Sequence, residues 1–389
     1  MGILSNTVSI CQFRVVGDLP VADFYEWASV SLARKGFAPI DHSTAELSVG
    51  WVQVDDHRDS SFSVPSAFWR DHYLVFTLRQ DRRHIPTVLL RSHLQLEERE
   101  FLTANPGYSK VPKQKREELR EAVRSRLLAR ILPVPATYDA VWDTDSNLLT
   151  LATVGAKSVE QFEALFKKSF EGLRLVAIHP YSRAERVVAP EMLPLLVKAN
   201  RANSDAVLDL IKCNRWLGWD FLLWMLYRTM NESSEYRVSR PGHAVAGEGF
   251  VAYLNDRIVL GLSAEQGVQK FTASGPMEQF AEVRTALKSG KQINEATLYL
   301  ERGEHLWKMT LKGEQFQFSS FRSPQVKEEK DNTVDGVTER EALFYERMYL
   351  LELGLQLFDS LYEAFLAQRL STAWDIEQKN IDSWLNEIQ

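Results

Sequence analysis

The sequence predicts an α+β fold in which helices are mixed with antiparallel sheets in several subdomains. Two observations predict it. Short segments of alternating apolar residues, typical of half-buried strands, recur along the chain, and segments with apolar residues three and four apart, typical of helices, stand between them. The two kinds of segment follow no regular alternation, so the pattern does not favour a parallel sheet. The 389 residues include 45% hydrophobic and 25% charged residues, as in a folded soluble protein.

The first 170 residues contain strands and helices in irregular order. Pro86 and Pro112 stand where helices can begin, and Asn105-Pro106-Gly107 separates the two helices that follow them. Asp143 to Asn147 has turn composition and separates two short strands. The predicted elements here are strands near 8–15, 47–54 and 73–78 and helices over 21–35, 86–101, 112–131 and 159–170.

The rest of the chain repeats this mixture and ends in helices. We predict helices over 216–227, 277–287, 340–370 and 376–385, and strands over 251–254, 258–262, 295–301, 305–311 and 315–320. Residues 241–249 are a small-residue loop, and 323–337 a charged linker. The predicted regions are an N-terminal α+β region at 1–180, an inserted helical subdomain at 181–249, an α+β region at 250–325 and C-terminal helices at 338–389.

Composition excludes several classes of protein. Only Cys11 and Cys213 occur, which fits a reducing compartment, and no apolar run is long enough to cross a bilayer. We therefore expect a cytoplasmic protein without a membrane partner. No His or Cys pair has zinc spacing and no Ser stands in a Gly-x-Ser-x-Gly elbow, so we expect neither a cofactor nor a bound metal.

One predicted helix concentrates positive charge, although the whole chain has a formal net charge of −6. Within 110–130, eight basic residues stand against three acidic ones, a local charge of +5. Four of the basic residues are spaced 3, 4 and 4 apart, so they share one face of the helix. Such a face is either an ordinary solvated surface or a surface that binds phosphates. The basic residues are Lys110, Lys113, Lys115, Arg116, Arg120, Arg124, Arg126 and Arg130.

The basic helix lies within a longer pattern that resembles the RdgC family. The resemblance rests on the shared order and spacing of short motifs. They are Gly36-Phe37-Ala38-Pro39, Gly50-Trp51, Arg82-Arg83-His84-Ile85-Pro86, Lys113-Gln114-Lys115-Arg116-Glu117-Glu118-Leu119, residues 127–133, Trp142-Asp143-Thr144, Leu165-Phe166-Lys167-Lys168-Ser169, Glu282-Val283 and Ser289-Gly290-Lys291.

The resemblance implies an α+β homodimer that closes into a ring around duplex DNA without sequence preference. Such proteins limit the access of the recombinase RecA to DNA, which implies a nucleoid-associated protein that modulates recombination. Single-stranded DNA remains a second possible ligand. The implied DNA-binding residues are the eight cations of the basic helix together with Lys167, Lys168 and Lys270.

Three stretches differ from the family pattern. The segment at 134–137 is shorter than usual and lacks a basic and an aromatic residue that the family has there. The finger-like segment before Glu282 offers little positive charge besides Lys270. Residues 181–249 and the tail after Leu370 exceed the usual family length.

Two other functions stay open on the sequence alone. A metal-dependent exonuclease would use acidic residues such as Asp55, Asp56 or Asp143, because clustered carboxylates bind magnesium, although turn composition explains these residues equally well. A protein-interaction scaffold without DNA affinity would use the long C-terminal helix and the Trp-rich helix near 216–227. The rings of that Trp-rich helix are expected in the core rather than stacked on unpaired bases, and the glycine-rich loop 242–249 lacks the residues of a phosphate loop.

Overall fold

The computed structural model describes residues 2–20, 23–41, 43–264, 267–275, 281–326 and 336–387. Its strands are β1 (Thr7–Val16), β2 (Leu47–Val52), β3 (Trp69–Arg70), β4 (Tyr73–Arg82), β5 (Val134–Asp143), β6 (Leu148–Leu151), β7 (Arg174–Ala177), β8 (Glu235–Arg237), β9 (Gly249–Ala264), β10 (Gly267–Ser274), β11 (Gln292–Arg302), β12 (His305–Lys312) and β13 (Gln317–Arg322). Its helices are α1 (Phe24–Ala33), α2 (Thr87–Ala104), α3 (Lys113–Leu128), α4 (Ala156–Ser169), α5 (Pro180–Val187), α6 (Leu193–Ala199), α7 (Val207–Cys213), α8 (Trp216–Asn231), α9 (Ala281–Lys288), α10 (Gly336–Arg369) and α11 (Trp374–Asn386).

The chain forms two compact units. The first, here the N-terminal unit, comprises residues 17–146 and 160–174, and the second, the C-terminal unit, comprises residues 1–16, 147–159 and 175–389. The four regions expected from the sequence remain a prediction.

The N-terminal unit is built on an antiparallel sheet in the order β5-β4-β2, with β3 pairing with β4. Most of α4 belongs to this unit and supplies aromatic rings to its core. The Trp51 ring lies 5.0 Å from that of Phe76 and 5.3 Å from that of Phe162, both edge to face. The Trp51 indole N–H donates a hydrogen bond of 2.7 Å to the Ser169 hydroxyl, so the large aromatic side chain is buried with its polar atom satisfied.

The C-terminal unit contains an antiparallel sheet in the order β10-β9-β11-β12-β13-β1-β6, with β7 pairing with β1 and β8 pairing with β9. The long helix α10 carries apolar residues that are buried along its length, and Leu350 in it accepts a hydrogen bond of 2.9 Å from Trp307 of β12. Helix α8 approaches the turn after β12 closely at Gly218. A Cβ atom there would lie 1.9 Å from the carbonyl oxygen of Gly313, which only glycine avoids.

The α+β prediction is confirmed, with differences in detail. The two strands predicted over 251–262 are one strand, β9, whose register against β11 is irregular and whose Asp256 has a φ of 66°. The short elements β7, α5, α6 and α7 were not predicted, because four to eight residues give too little periodicity. Parts of three predicted segments lie outside the described part of the chain. They are residues 21–22 of the first predicted helix, 277–280 of the predicted helix 277–287 and 327–335 of the predicted linker. No helix in the described residues is long and apolar enough to span a bilayer.

Candidate nucleic-acid interface

The basic helix α3 forms a helical hairpin with α2 in the N-terminal unit. Pro112 immediately precedes its first turn, where the missing proline N–H costs no helix hydrogen bond. Helix α3 buries Val123, Leu127 and Leu128, whereas no residue of the 18-residue helix α2 is fully buried. The hairpin therefore presents most of its charged side chains to solvent.

Four of the eight basic residues predicted within 110–130 form ion pairs with the protein's own carboxylates. Arg116 and Arg126 reach Glu98 and Glu97 of α2, each at 2.6 Å. The other two pairs join Arg124 to Glu46 at 2.6 Å and Lys115 to Glu118 at 3.0 Å. Arg116 and Arg124, which share the predicted basic face of α3, are thus both paired with carboxylates in the structure, and their role in DNA binding remains a prediction. Because these pairs are largely exposed, each contributes only about 0–1 kcal/mol, and a phosphate can compete for the arginine.

The other four basic residues remain unpaired. Lys110, Lys113, Arg120 and Arg130 are exposed, and within the described ranges none of them has a carboxylate partner. Lys113 and Arg120 are seven residues apart and so lie on the same face of α3, two turns apart. These four side chains supply uncompensated positive charge along the hairpin.

A buried arginine holds the backbone of Glu46, the residue that pairs with Arg124. The guanidinium of Arg83 is 5% exposed and donates hydrogen bonds to the carbonyl oxygens of Ile40, Asp41, Ser43 and Ala45. Its backbone N–H also donates to the carbonyl of Glu46 at 2.9 Å. Because a charged donor binds four carbonyls, the backbone at residues 40–41 and 43–46 is held in place, and with it the backbone of the residue that pairs with Arg124. Sequence reasoning did not detect this arrangement, although Arg83 is part of the motif that carries the resemblance.

The three remaining candidate cations lie elsewhere. Lys167 and Lys168 are exposed in the last turn of α4, where positive charge stabilises a helix carboxyl end, so their position has a structural explanation. Lys270 is exposed on β10, in the C-terminal unit. Within the described residues of the N-terminal unit, no ion pair or side-chain hydrogen bond joins Lys167 or Lys168 to α3.

The acidic residues of the nuclease alternative are each engaged locally. Asp55 pairs with the buried Arg70 at 2.5 Å, and Asp56 accepts a hydrogen bond of 2.9 Å from the backbone N–H of Arg58. Asp143 accepts backbone hydrogen bonds from Asp145 and Ser146, as in a tight turn. The described residues contain no group of three His, Cys, Asp or Glu side chains that could hold a metal ion.

Asp59 belongs to the same local pattern. The backbone N–H and the side chain of Ser61 both donate to it, which lowers its pKa below the ordinary aspartate value. The turn at 55–59 is thus held by local hydrogen bonds.

The Trp-rich helix α8 is part of the core. Trp216, Phe221, Trp224 and Tyr227 are at most 8% exposed, so the expectation of a core helix is confirmed for them, whereas Trp219, expected in the same core, is only partly buried. The four buried rings are not available for stacking on bases, nor for the partner contacts of the scaffold alternative.

The glycine-rich loop 242–249 is bound to α10. The backbone N–H of Ala244 donates a hydrogen bond of 2.8 Å to Gln356, and His243 lies 2.8 Å from a carboxylate oxygen of Glu352. The backbone N–H of Ala244 in this loop therefore already has a hydrogen-bond acceptor within the C-terminal unit.

Exposed apolar residues gather where the α2–α3 hairpin joins the sheet. Leu132 is 79% exposed, Val88 78% and Val134 67%. Val134 pairs with Arg82 at the end of β4, and Leu47, 42% exposed, pairs with Arg82 from the other side. We name Val88, Leu132 and Val134 the hairpin-root patch. Exposed large apolar side chains that lie at one end of a structural element, here where α2 begins and where β5 begins, are typical of an interaction surface.

Comparison with models of protein families gives a match to part of the chain. The RdgC family model, described as "Putative exonuclease, RdgC", matches residues 13–190, a range that includes the α2–α3 hairpin and the hairpin-root patch. The search of curated proteins finds no match.

Proposed function

We propose, from the premise that over residues 13–190 the chain belongs to the RdgC family, that it is a recombination-associated protein that binds DNA without sequence preference. It encloses duplex DNA as a homodimer and so limits the access of RecA, in association with the nucleoid. The observation that carries the proposal is the set of four exposed and unpaired cations on the α2–α3 hairpin: Lys110, Lys113, Arg120 and Arg130.

The mechanism is electrostatic and needs no bond to be made or broken. Lysine and arginine side chains replace the counterions around DNA phosphates, and the released ions make binding weaken as salt is raised. Phosphate contacts position a protein on DNA and carry no sequence information, which fits binding to any duplex. The net charge of −6 keeps the rest of the surface from binding DNA equally well.

The test is binding to a random-sequence duplex at several salt concentrations. Replacing Lys110, Lys113, Arg120 and Arg130 by Gln should weaken binding to all sequences alike and flatten the salt slope by roughly three to four units, since each lost phosphate contact removes about 0.9. The matched control replaces four exposed lysines of the C-terminal unit, Lys198, Lys212, Lys288 and Lys379, by Gln. A slope that changes equally in both variants, or in neither, would overturn the proposed surface.

The second candidate function is exonuclease activity, favoured by the description of the matching family model. End-labelled duplex is incubated with the protein and magnesium, beside a variant with Asp55→Asn and Asp143→Asn. Persistence of full-length DNA removes this candidate. Shortened products that the variant no longer makes would establish it, with these aspartates in the site.

A further inference from the structure

A cavity in the C-terminal unit combines positive charge with an uncommon strand pairing. It has a volume of about 400 Å³ and is lined by residues from the start of β12, the end of β13 and the segment that follows β13. A volume of this size suits a small ligand such as a mononucleotide.

Two of its lining residues are like-charged and directly opposite each other. Lys308 of β12 pairs with Arg322 of β13 in the antiparallel register. Side chains in such a position have Cβ atoms about 4.5–5.5 Å apart, and like charges there destabilise a sheet. Two cations held this close favour an anion between them.

The two cations differ in how far the protein neutralises them. Lys308 donates a hydrogen bond of 2.5 Å to Asp256 and also contacts the Tyr299 hydroxyl, so two of its three donors have acceptors among the described residues and the third has none there. Arg322 is exposed, and within the described part of the chain no ion pair or side-chain hydrogen bond engages its guanidinium. Glu304 is the one carboxylate among the lining residues, and it is exposed to solvent.

The other lining residues suit a nucleotide. His305 offers ring nitrogens at the cavity, and Leu306, 45% exposed, offers an apolar surface. A guanidinium binds two oxygens of one phosphate at once, which a single ammonium does not do.

We propose that this cavity binds a phosphate group, with Arg322 as the bidentate donor, Lys308 as a second donor and Leu306 beneath the attached sugar or base. The phosphate comes either from a free mononucleotide or from the backbone of a nucleic acid. The site is separate from the α2–α3 hairpin and does not depend on the function proposed for it.

The experiment measures binding of inorganic phosphate, deoxyadenosine monophosphate and a short duplex to the full chain by calorimetry. Arg322→Gln should weaken binding of the mononucleotide at least tenfold, whereas Arg322→Lys should retain part of it. Arg257→Gln is the matched control, because Arg257 is an exposed arginine of β9 outside the cavity, 3.8 Å from Glu295. Circular dichroism confirms that each variant is folded.

The unfolding temperature gives an independent readout. Without ligand, Arg322→Gln should unfold at the same or a higher temperature than the wild type, because it removes a like-charge pair. Phosphate should raise the unfolding temperature of the wild type and of Arg257→Gln, and much less that of Arg322→Gln.

The arms of the experiment distinguish the sources of phosphate. Mononucleotide binding that depends on Arg322 assigns the cavity to a free nucleotide. A loss of affinity confined to the duplex assigns it to a nucleic-acid backbone. Binding of all three probes that is equal in Arg322→Gln and the wild type, or no binding of any, would overturn the proposal whatever the hairpin variants show.

Discussion

His179 is a buried histidine whose protonation opposes folding. It is 1% exposed, and burial lowers its pKa from 6.5 to about 4, because the charged ring loses its hydration. Above pH 6.5 the ring is neutral in the folded and the unfolded chain and contributes no pH dependence. Between pH 6.5 and about 4 only the unfolded chain binds the proton, so the free energy of unfolding must fall as the pH falls.

The expected size of this effect is about 3 kcal/mol when complete, at about 1.4 kcal/mol for each unit of pKa difference. Urea unfolding at pH 7.5 and pH 4.5 measures it. The difference between the two pH values should be smaller in His179→Gln than in the wild type, whereas the exposed His84→Gln should retain the full difference. Equal pH dependence in the wild type and His179→Gln would show that the ring is protonated inside the fold.

Ion pairs between α2 and α3 neutralise part of the positive charge of the hairpin. Glu97 and Glu98 of α2 each engage an arginine of α3, so replacing both by Gln should free Arg126 and Arg116 for phosphate. Duplex affinity should rise and the salt slope steepen by up to about two units. Stability should change by less than about 1 kcal/mol, because the pairs are mostly exposed.

The control for this prediction must carry the same change of net charge. Glu191→Gln with Glu235→Gln removes two exposed carboxylates from the C-terminal unit. Salt-dependent binding is measured for both double variants. If the control variant raises duplex affinity as much as the variant with Glu97→Gln and Glu98→Gln does, net charge alone governs duplex affinity. The ion pairs of the hairpin then have no specific role.

The hairpin also shows how far the sequence predicts a site. The spacing of Lys113 and Arg120 predicted a shared helix face, since helical periodicity is local and survives folding. The partner of Arg124 was not predictable by spacing, because Glu46 stands 78 positions before Arg124 and meets it only through the tertiary fold. Charge counted along a chain therefore overestimates the charge that a folded surface offers to DNA.

Across the whole molecule, too, local periodicity was predictable from the sequence, whereas the tertiary surroundings of an element were not. Long elements such as α10 and β11 to β13 were predicted, because many residues share one periodicity. The long C-terminal helix was also considered as a surface for protein contacts, but Phe344, Leu357, Phe358 and Phe365 in it are fully buried. A helix that is apolar on several faces belongs to a core, and only the surrounding elements reveal this.

The exposed hairpin-root patch predicts that the protein forms a dimer. The apolar side chains of Leu132, Val88 and Val134 gain stabilisation when a second copy removes them from water, by about 25 cal/mol for each Å² buried. Light scattering should therefore give a mass of about 89 kDa, twice the 44.6 kDa of the chain. Leu132→Asp should shift it toward the monomer, because a buried unpaired carboxylate is costly.

Leu208→Asp is the matched control, since Leu208 is 82% exposed in the C-terminal unit, close to the 79% of Leu132. The control should keep the dimer mass. If the hairpin-root patch joins the subunits that enclose DNA, Leu132→Asp should also weaken duplex binding, because each monomer then contributes only its own four unpaired cations. A dimer mass unaffected by Leu132→Asp would place the subunit contact elsewhere. A wild type that is monomeric but still binds duplex with its full salt slope would contradict the ring. The basic hairpin would then remain the DNA-binding surface.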